Sequence, residues 1–349
     1  MAPGLCFPGD CLCCQLPAPL ESTTIYRSLV SLSLLLTLLT VVLSAYIRLA
    51  EVGIGCEPWP QCYARLNPEV EQKGIAVLTA QGRDMAHYGA RVAHRYIASI
   101  LGLFILAIFI AALRQGSDRA TTVLVPVAIF AITVFLSLLG YYTPTRSNPL
   151  ITMGNLLGGM ALLGLLWWLL QRETEGRAVP GPAPGLRPLA WIALALVLLQ
   201  ILLGGWSSAN YASASCPGLI SCEGDILSGA AVADAFDPAR SIALDEEGQV
   251  VRNESLGLLS MTHRLFALFT AGYLAWLVRH LKPQPLLAGS AVALALFSIA
   301  QLIVGVSTVW LGMPLLLLTL HNGLAAGLLL ASINVLHRLT PPTGSAPPG

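Results

Sequence analysis

The feature that most constrains this chain is a series of long apolar runs. A helix that crosses the hydrocarbon core of a membrane needs about 20 such residues. The runs are residues 28–47, 96–113, 120–145, 147–171, 188–208, 255–278 (interrupted by His263 and Arg264) and 285–320. The last is too long for one helix and contains Gly312-Met313-Pro314, which predicts a tight turn between two helices. Since open sheet edges cannot be satisfied in lipid, we predict an all-α integral membrane protein with eight transmembrane helices.

The composition supports this class and excludes others. Only 11% of the 349 residues are charged and 55% are hydrophobic, whereas soluble domains are about one-quarter charged. A water-soluble enzyme is therefore excluded. The net charge of +1 lacks the basic excess of a nucleic-acid-binding protein. We expect membrane lipid around the chain and no nucleic-acid partner.

Basic residues in the short loops predict the orientation of the helices. The loops after the second, fourth and sixth helices contain seven basic residues, and the short loops after the third and seventh contain one. The seven are Arg114, Arg119, Arg172, Arg177, Arg187, Arg279 and Lys282, and the one is Arg146. The positive-inside rule then places both termini in the cytoplasm and the long loops near residues 49–91 and 209–254 outside.

A proline/glycine-rich linker divides the chain into two halves. We predict a cytoplasmic N-terminal tail at 1–27, a four-helix bundle at 28–171, a cytoplasmic linker at 172–187, a second four-helix bundle at 188–337 and a cytoplasmic tail at 338–349. The N-terminal tail contains four cysteines but no apolar core, so we do not expect it to be a signal peptide.

The two halves repeat each other. Four features recur in the same order, at offsets between 160 and 169 residues. They are the pairs Cys56/Cys62 and Cys216/Cys222, His94-Arg95 and His263-Arg264, Gly140-x-x-Thr143 and Gly305-x-x-Thr308, and Asn155 and His321. A common order with near-constant offsets indicates a tandem repeat of a four-helix unit, with both copies inserted in the same direction.

Two histidines in the second half indicate a binding site. His263 and His321 lie on helices that enter from the predicted outer face, each about two turns deep. An imidazole at that depth is costly unless it is paired or ligated, and two on different helices can hold a haem iron from both sides. Zinc would require three or four ligands, and the simplest alternative is a hydrogen-bonded histidine pair. Arg264 and Arg48 are candidates to neutralise haem propionates.

The equivalent site in the first half differs. His94 corresponds to His263, but Asn155 replaces the second histidine, and an amide oxygen is a weaker iron ligand than imidazole. Such a site suits a haem that binds and leaves, whereas a bis-histidine site suits a resident haem. Asp84, His87 and Arg91 precede His94 at helical spacing and share its face, either within this site or as a solvated stripe.

The cysteine pairs of the long loops have two interpretations. If these loops face an oxidising compartment, Cys56–Cys62 and Cys216–Cys222 form small disulfide rings. The alternative is four free thiols.

Several of these motifs together resemble the haem A synthase family. The resemblance covers about residues 28–338 and no single motif carries it. It rests on the run RLAEVGIGCEPWPQC at 48–62, on His94-Arg95-Tyr96, on GGWSSANY at 204–211, on His263-Arg264 and on Leu320-His321-Asn322.

The resemblance implies two pseudo-symmetric four-helix bundles in a bacterial cytoplasmic (inner) membrane. It implies haem b in the C-terminal half, with His263 and His321 as iron ligands, and a substrate site for haem O in the N-terminal half. His94, Asn155 and Arg95 would contact the substrate, with His94 and Asp84 as catalytic candidates. The oxidoreductase would convert the C8 methyl of haem O to the formyl group of haem A. Implied partners are haem O synthase and cytochrome oxidase assembly factors, and a homo-oligomer is compatible with this architecture.

Two departures from the family pattern fall in the substrate half. Arg91 stands where a glutamate is expected three residues before the first histidine, and Asn155 stands where a second histidine is expected. Loss of an acidic group beside a haem removes a candidate for proton transfer. The departures motivate an alternative of another class, a non-catalytic haem b-binding paralogue that transfers electrons or assists oxidase assembly. A transporter is disfavoured, because the polar groups cluster at the outer ends of the helices rather than at the midplane.

Overall fold

The computed structural model describes residues 20–50, 84–114, 120–142, 149–174, 185–216, 218–222, 224–240, 242 and 250–340. These residues form helices and contain no β-strand, as the apolar runs predict. Before the linker lie α1 (Leu20–Ala50), α2 (Asp84–Arg114), α3 (Ala120–Tyr142) and α4 (Pro149–Thr174). After it lie α5 (Leu186–Ala209), a 3₁₀ turn (Ala212–Ala214), α6 (Gly229–Ala235), α7 (Glu254–Leu281), α8 (Ala288–Trp310) and α9 (Leu315–Arg338).

Seven of the described helices are long and apolar enough to cross a membrane, as expected of a multi-pass membrane protein. They are α1 to α5, α8 and α9. The remaining long helix, α7, has 28 residues, and His263 with Arg264 interrupts its apolar run.

Several helices extend beyond their apolar runs. α1 begins at Leu20 and α2 at Asp84, so both start within segments that the sequence assigned to a tail or a loop. Tyr26 in the first part of α1 is buried, which gives this extension a packing role. A helix is not obliged to end where the hydrocarbon ends, so hydropathy alone does not fix these boundaries.

The predicted turn within the run 285–320 is confirmed. α8 ends at Trp310 and α9 begins at Leu315. Gly312 and Met313 between them both have left-handed backbone angles, with φ of +72° and +63°. The Met313 N–H donates to the Thr308 carbonyl at 2.7 Å, which holds this non-glycine residue in a conformation that glycine adopts most readily.

The helices pack in neighbouring pairs. In the first half, α1 contacts α2 and α4, and α3 contacts α2 and α4. In the second half, α5 contacts α7 and α9, and α8 contacts α7 and α9. Across the halves, α9 contacts α1 and α4, and α4 contacts α5.

Buried apolar side chains follow the same pattern. One cluster lies among the first four helices and includes Val30, Ile105, Ile129 and Leu166. A larger cluster lies mainly in the second half and continues into α1 and α4. Polar contacts join the halves: Trp167 Nε1 donates to the Leu330 carbonyl, and Gln171 donates to Asn334 at 3.0 Å. The two halves therefore share one continuous interior.

Candidate functional site

A cavity of about 360 Å³ lies among α5, α7, α8 and α9. Leu49, Leu156 and Met160 of the first half also line it, so the site sits close to the contact between the halves. Most of its wall is apolar, and His263, His321 and Arg264 contribute the principal polar groups together with Gln200 and Gln301. A largely apolar cavity with a few convergent polar groups is typical of a cofactor site.

The structure brings His263 and His321 together in this cavity. Their ring centroids are 6.4 Å apart and their planes are nearly perpendicular, at 86°. His263 is nine residues from the start of α7 and His321 six residues from the start of α9, so both lie in the first three turns of their helices. Each ring is engaged by a glutamine rather than by the other histidine.

Gln200 on α5 holds His263. Its side-chain amide nitrogen lies 2.9 Å from Nδ1 of His263 and donates to the backbone carbonyl of the same residue at 3.1 Å. Gly204, one turn further along α5, faces the same ring, and a Cβ on that glycine would lie 2.6 Å from the ring carbon Cε1. Glycine is therefore required there for the imidazole to pack against α5.

Gln301 on α8 holds His321 in a similar manner. Its amide nitrogen lies 3.1 Å from Nε2 of His321, while Nδ1 is buried with no hydrogen-bond partner in the described part of the chain. Gly305, again four residues after the glutamine, faces the ring, and a Cβ there would lie 3.1 Å from Cε1. One nitrogen of each histidine is engaged by a glutamine, and Nδ1 of His321 is available to a ligand.

Hydropathy, residue spacing and the repeat between the halves did not identify this pair of glutamines or the role of the two glycines. A signal was present, since Gln-x-x-x-Gly occurs in α5 at 200–204 and again in α8 at 301–305. The repeat between the halves does not reveal this motif. Gly305 has an equivalent in Gly140, but no glutamine stands four residues before Gly140.

Arg264 lines the cavity and also fixes the neighbouring loop. Its guanidinium donates to the backbone carbonyls of Ser213, Cys216, Gly218 and Leu219. The role predicted from the sequence, neutralising a carboxylate of a bound group, stays a prediction. Because Arg264 follows His263 directly, these hydrogen bonds connect the histidine's part of α7 to the loop between α5 and α6.

The predicted Cys216–Cys222 disulfide is present in that loop, with Cα atoms 4.4 Å apart. Both sulfur atoms lie near the Gly257 carbonyl of α7, at 3.5 and 3.8 Å. A Cβ on Gly257 would meet the Ile226 side chain at 3.0 Å, so the loop lies directly on α7. Cys56 and Cys62 lie outside the described residues.

Arg48, near the end of α1, reaches the second half. Its guanidinium donates to Oδ1 of Asn322 at 3.3 Å, and Asn322 follows His321 on α9 and also lines the cavity. A positive charge from the first half therefore lies beside the histidine site of the second. Its predicted role toward an anionic group stays a prediction.

The residues predicted for the first-half site lie on two helices. Asp84, His87, Arg91 and His94 all belong to α2, as their spacing predicted, and the side chains of Arg91 and His94 are half-buried. Arg95 on α2 and Asn155 on α4 are exposed. The side chains of Asp84 and His87 lie outside the described part of the structure.

The second-half site fits a haem iron. One metal ion bound to two imidazoles through bonds of about 2 Å holds the ring centroids roughly 6 Å apart, close to the separation found here. Nδ1 of His321 is buried and has no hydrogen-bond partner among the described residues, so this nitrogen is available to bind a metal ion. Within those residues no group of three or more histidines, cysteines and carboxylates is placed to hold a metal, whereas a porphyrin brings four of the iron ligands itself.

Comparison with known proteins relates the chain to haem metabolism. A sequence model of a family described as cytochrome oxidase assembly protein (COX15-CtaA) matches residues 27–333. A "Heme A synthase" of Shewanella oneidensis is 32% identical over 314 residues, 88% of this chain and 94% of that protein. A "Heme A synthase" of Flavobacterium psychrophilum is 26% identical over 260 residues, 71% of this chain and 73% of the other. A "Protoheme IX farnesyltransferase" of Thermus thermophilus is 27% identical over 311 residues, 84% of this chain but 45% of that protein.

Proposed function

Because the chain belongs to the cytochrome oxidase assembly protein family COX15-CtaA, we propose that it is a membrane oxidoreductase of the haem A synthase type. The reaction converts haem O to haem A for cytochrome oxidase, by oxidising the C8 methyl group to a formyl group. The observation that carries the proposal is the pair His263 and His321 in an apolar cavity, within a chain that matches a haem A synthase along nearly its whole length.

The proposed architecture has eight transmembrane helices in two four-helix bundles. The contacts of α1 with α2 and α4, and of α3 with the same two helices, close one ring of four, and α5, α7, α8 and α9 close a second in the same way. α7 is then the eighth span, and its polar residues His263 and Arg264 face the cavity rather than lipid. We place the bundles at 28–171 and 188–337, joined by a cytoplasmic linker at 172–187, with both termini in the cytoplasm of a bacterium.

The C-terminal bundle is proposed to hold haem b. His263 and His321 would ligate the iron, and Arg48 and Arg264 would lie near its propionates, since all four groups line or border one cavity. Haem b, when bound there, supplies a one-electron redox centre. The apolar wall of the cavity excludes water, and the two glutamines restrict rotation of the imidazole rings.

The N-terminal bundle is proposed to receive haem O. His94 would contact the substrate iron, with Asn155 on α4 and Arg95 as further contacts and Asp84 as a weaker candidate for proton transfer. An exposed Asn155 and a half-buried His94 suit a substrate that enters and leaves more than a resident cofactor. Haem O synthase is the proposed supplier, and the match to a protoheme IX farnesyltransferase supports this link. Oxidase assembly factors would receive the product.

A second candidate function rests on Arg91. Its side chain is half-buried on α2, one turn before His94, at the position where the family resemblance predicts a glutamate. Arginine cannot act as a proton acceptor at any accessible pH. With Asn155 in place of a histidine, this favours a haem b protein that has lost the reaction and serves electron transfer or oxidase assembly.

Haem extraction distinguishes the two functions. The full chain is expressed in hosts with and without haem O synthase, purified, and its haems are separated by chromatography. We expect haem b in both hosts, and haem A or its hydroxylated precursor only where haem O is made. Haem b alone in both hosts would overturn the enzymatic function and favour the second candidate. Absence of any haem would overturn both.

A further inference from the structure

The side-chain oxygens of Gln200 and Gln301 are buried without partners among the described residues. Both amide nitrogens contact a histidine ring, but neither Oε1 atom has a hydrogen-bond partner in this part of the structure. A buried amide oxygen without a donor costs free energy. Two such atoms beside the same pair of rings therefore point to a state of the site in which both are satisfied.

Metal binding to the rings supplies the missing donors. A neutral imidazole that ligates a metal through one nitrogen carries a proton on the other, and this N–H is normally bound by an oxygen acceptor that fixes the orientation of the ring. In the present arrangement, each glutamine presents its nitrogen to a ring nitrogen. A rotation of each amide by half a turn would present Oε1 instead, without movement of the helix backbone.

We infer that Gln200 and Gln301 are positioning residues for the haem ligands: their amide oxygens accept the N–H groups of His263 and His321 and hold the two ring planes close to perpendicular. This inference rests on the proposed function, because it needs a haem iron between the rings. The two glutamines differ in what the rotation costs: Gln200 gives up the bond that its amide nitrogen donates to the His263 backbone carbonyl, whereas the contact of Gln301 is with the His321 ring.

The glycines make this arrangement specific. Gly204 and Gly305 stand four residues after Gln200 and Gln301, on the same face of each helix, and each faces the ring that its glutamine contacts. Each ring is therefore bounded by an amide at one nitrogen and by a helix backbone along its side. Gln171 is the matched control: its buried side-chain oxygen also has no partner among the described residues, but it binds Asn334 at the α4–α9 contact, away from the cavity and from both rings.

The test uses the full-length holoprotein and compares Gln200→Leu, Gln200→Glu, Gln301→Leu and the control Gln171→Leu. The measurements are haem b per chain, the reduction midpoint potential, and the g-anisotropy of the oxidised low-spin haem by electron paramagnetic resonance, which reports the angle between the imidazole planes. We expect Gln200→Leu and Gln301→Leu each to weaken haem retention roughly 10- to 100-fold and to change the g-anisotropy, and Gln171→Leu to do neither.

The midpoint potential separates positioning from mere packing. Glutamate accepts more strongly than glutamine and makes the imidazole a better donor to ferric iron, so Gln200→Glu lowers the potential. Leucine accepts nothing, so Gln200→Leu raises it. Equal potentials in all variants, shifts of the same sign for Leu and Glu, or a Gln171→Leu shift as large as that of Gln200→Leu would overturn the inference.

The outcome is separable from that of the proposed function. If Gln200→Leu yields no holoprotein, the direction of the midpoint-potential shift in Gln200→Glu tests the positioning role: a lower potential supports it, and a higher or unchanged potential refutes it. A wild-type protein that contains haem b and forms haem A, with unchanged glutamine variants, refutes the positioning role alone. A wild-type protein without haem b refutes the haem site and this inference together.

Discussion

The two halves of this molecule share a repeat but differ around their histidines. In the second half, Gln200 and Gly204 face His263, and Gln301 and Gly305 face His321. The offset of 160 residues between the cysteine pairs places Thr40 and Ser44 at the positions of the first glutamine and glycine. The offset of 165 residues between the glycines places Leu136 and Gly140 at the positions of the second.

The first-half residues at these positions have other partners. The Thr40 hydroxyl donates to the Leu36 carbonyl within its own helix. Leu136 packs on Gly158 of α4, where a Cβ would lie 2.6 Å from its methyl carbon. At these four positions the second half therefore presents polar groups and glycines to two histidine rings, whereas Thr40 and Leu136 of the first half contact their own bundle. This difference is what a resident cofactor in one half and an exchanged substrate in the other would require.

The largest expected effect tests the second half directly. Alanine at His263 or His321 removes one of the two proposed iron ligands and leaves a gap in the cavity, so haem b should be almost completely lost on purification. The measurement is the haem-to-protein ratio by the pyridine haemochrome assay. His280 on the same helix as His263 is exposed and contacts the Trp276 carbonyl, so His280→Ala should retain full haem. Equal haem content in all three variants would refute the ligand assignment.

The next effect tests whether the first half has been impaired. The double variant Arg91→Glu with Asn155→His restores a carboxylate and a second imidazole to that half. Because a positioned acid or base typically contributes at least 10²-fold to a reaction, we expect haem A formation to rise by about tenfold or more when haem O is supplied. The measurement is haem A per unit of purified protein. An unchanged yield would mean that the first half is competent as it stands, or that it is not a substrate site.

The sequence predicted the parts of this structure that depend on hydropathy, spacing and repetition. The helices, the turn at Gly312, the proximity of His263 and His321, and the Cys216–Cys222 disulfide all follow from such patterns. It did not predict the roles of Gln200 and Gln301, because an intramembrane glutamine has no fixed partner until the packing of helices is known. The helix starts at Leu20 and Asp84 were also missed, since hydropathy alone does not fix where a helix begins.

A smaller and graded effect compares glycines of the two halves. Gly305 and Gly140 are equivalent in the repeat, but a Cβ at Gly305 would lie 3.1 Å from the His321 ring, whereas at Gly140 it would meet no described atom within 4 Å. Gly305→Ala should therefore displace the ring by a few tenths of an ångström and weaken haem retention by up to roughly tenfold. Gly140→Ala should have no effect. Gly204→Ala, with its closer contact of 2.6 Å, should be more severe than Gly305→Ala in the same haem-retention assay.

The smallest expected effect concerns the cysteine loops. Cys216 and Cys222 are six residues apart, and closing so short a loop contributes about 2 kcal/mol to the free energy of unfolding by the chain-entropy estimate. Replacing both by serine should lower the Tm by roughly 3–6 °C, measured on the holoprotein in detergent. Cys56 and Cys62 have the same spacing, so the equivalent double variant should lower the Tm equally if they are also bridged.

The two cysteine variants should differ in their effect on haem. The Cys216 carbonyl accepts a hydrogen bond from Arg264, the residue after His263. Loss of the disulfide therefore weakens one of the contacts that hold the Arg264 guanidinium beside the cavity. We therefore expect the Cys216/Cys222 variant to lose haem b somewhat faster than the wild type, and the Cys56/Cys62 variant to retain it. Identical haem loss in both variants would show that the disulfides act only through the stability of the chain, and that the Arg264 contacts do not connect the second loop to the histidine site.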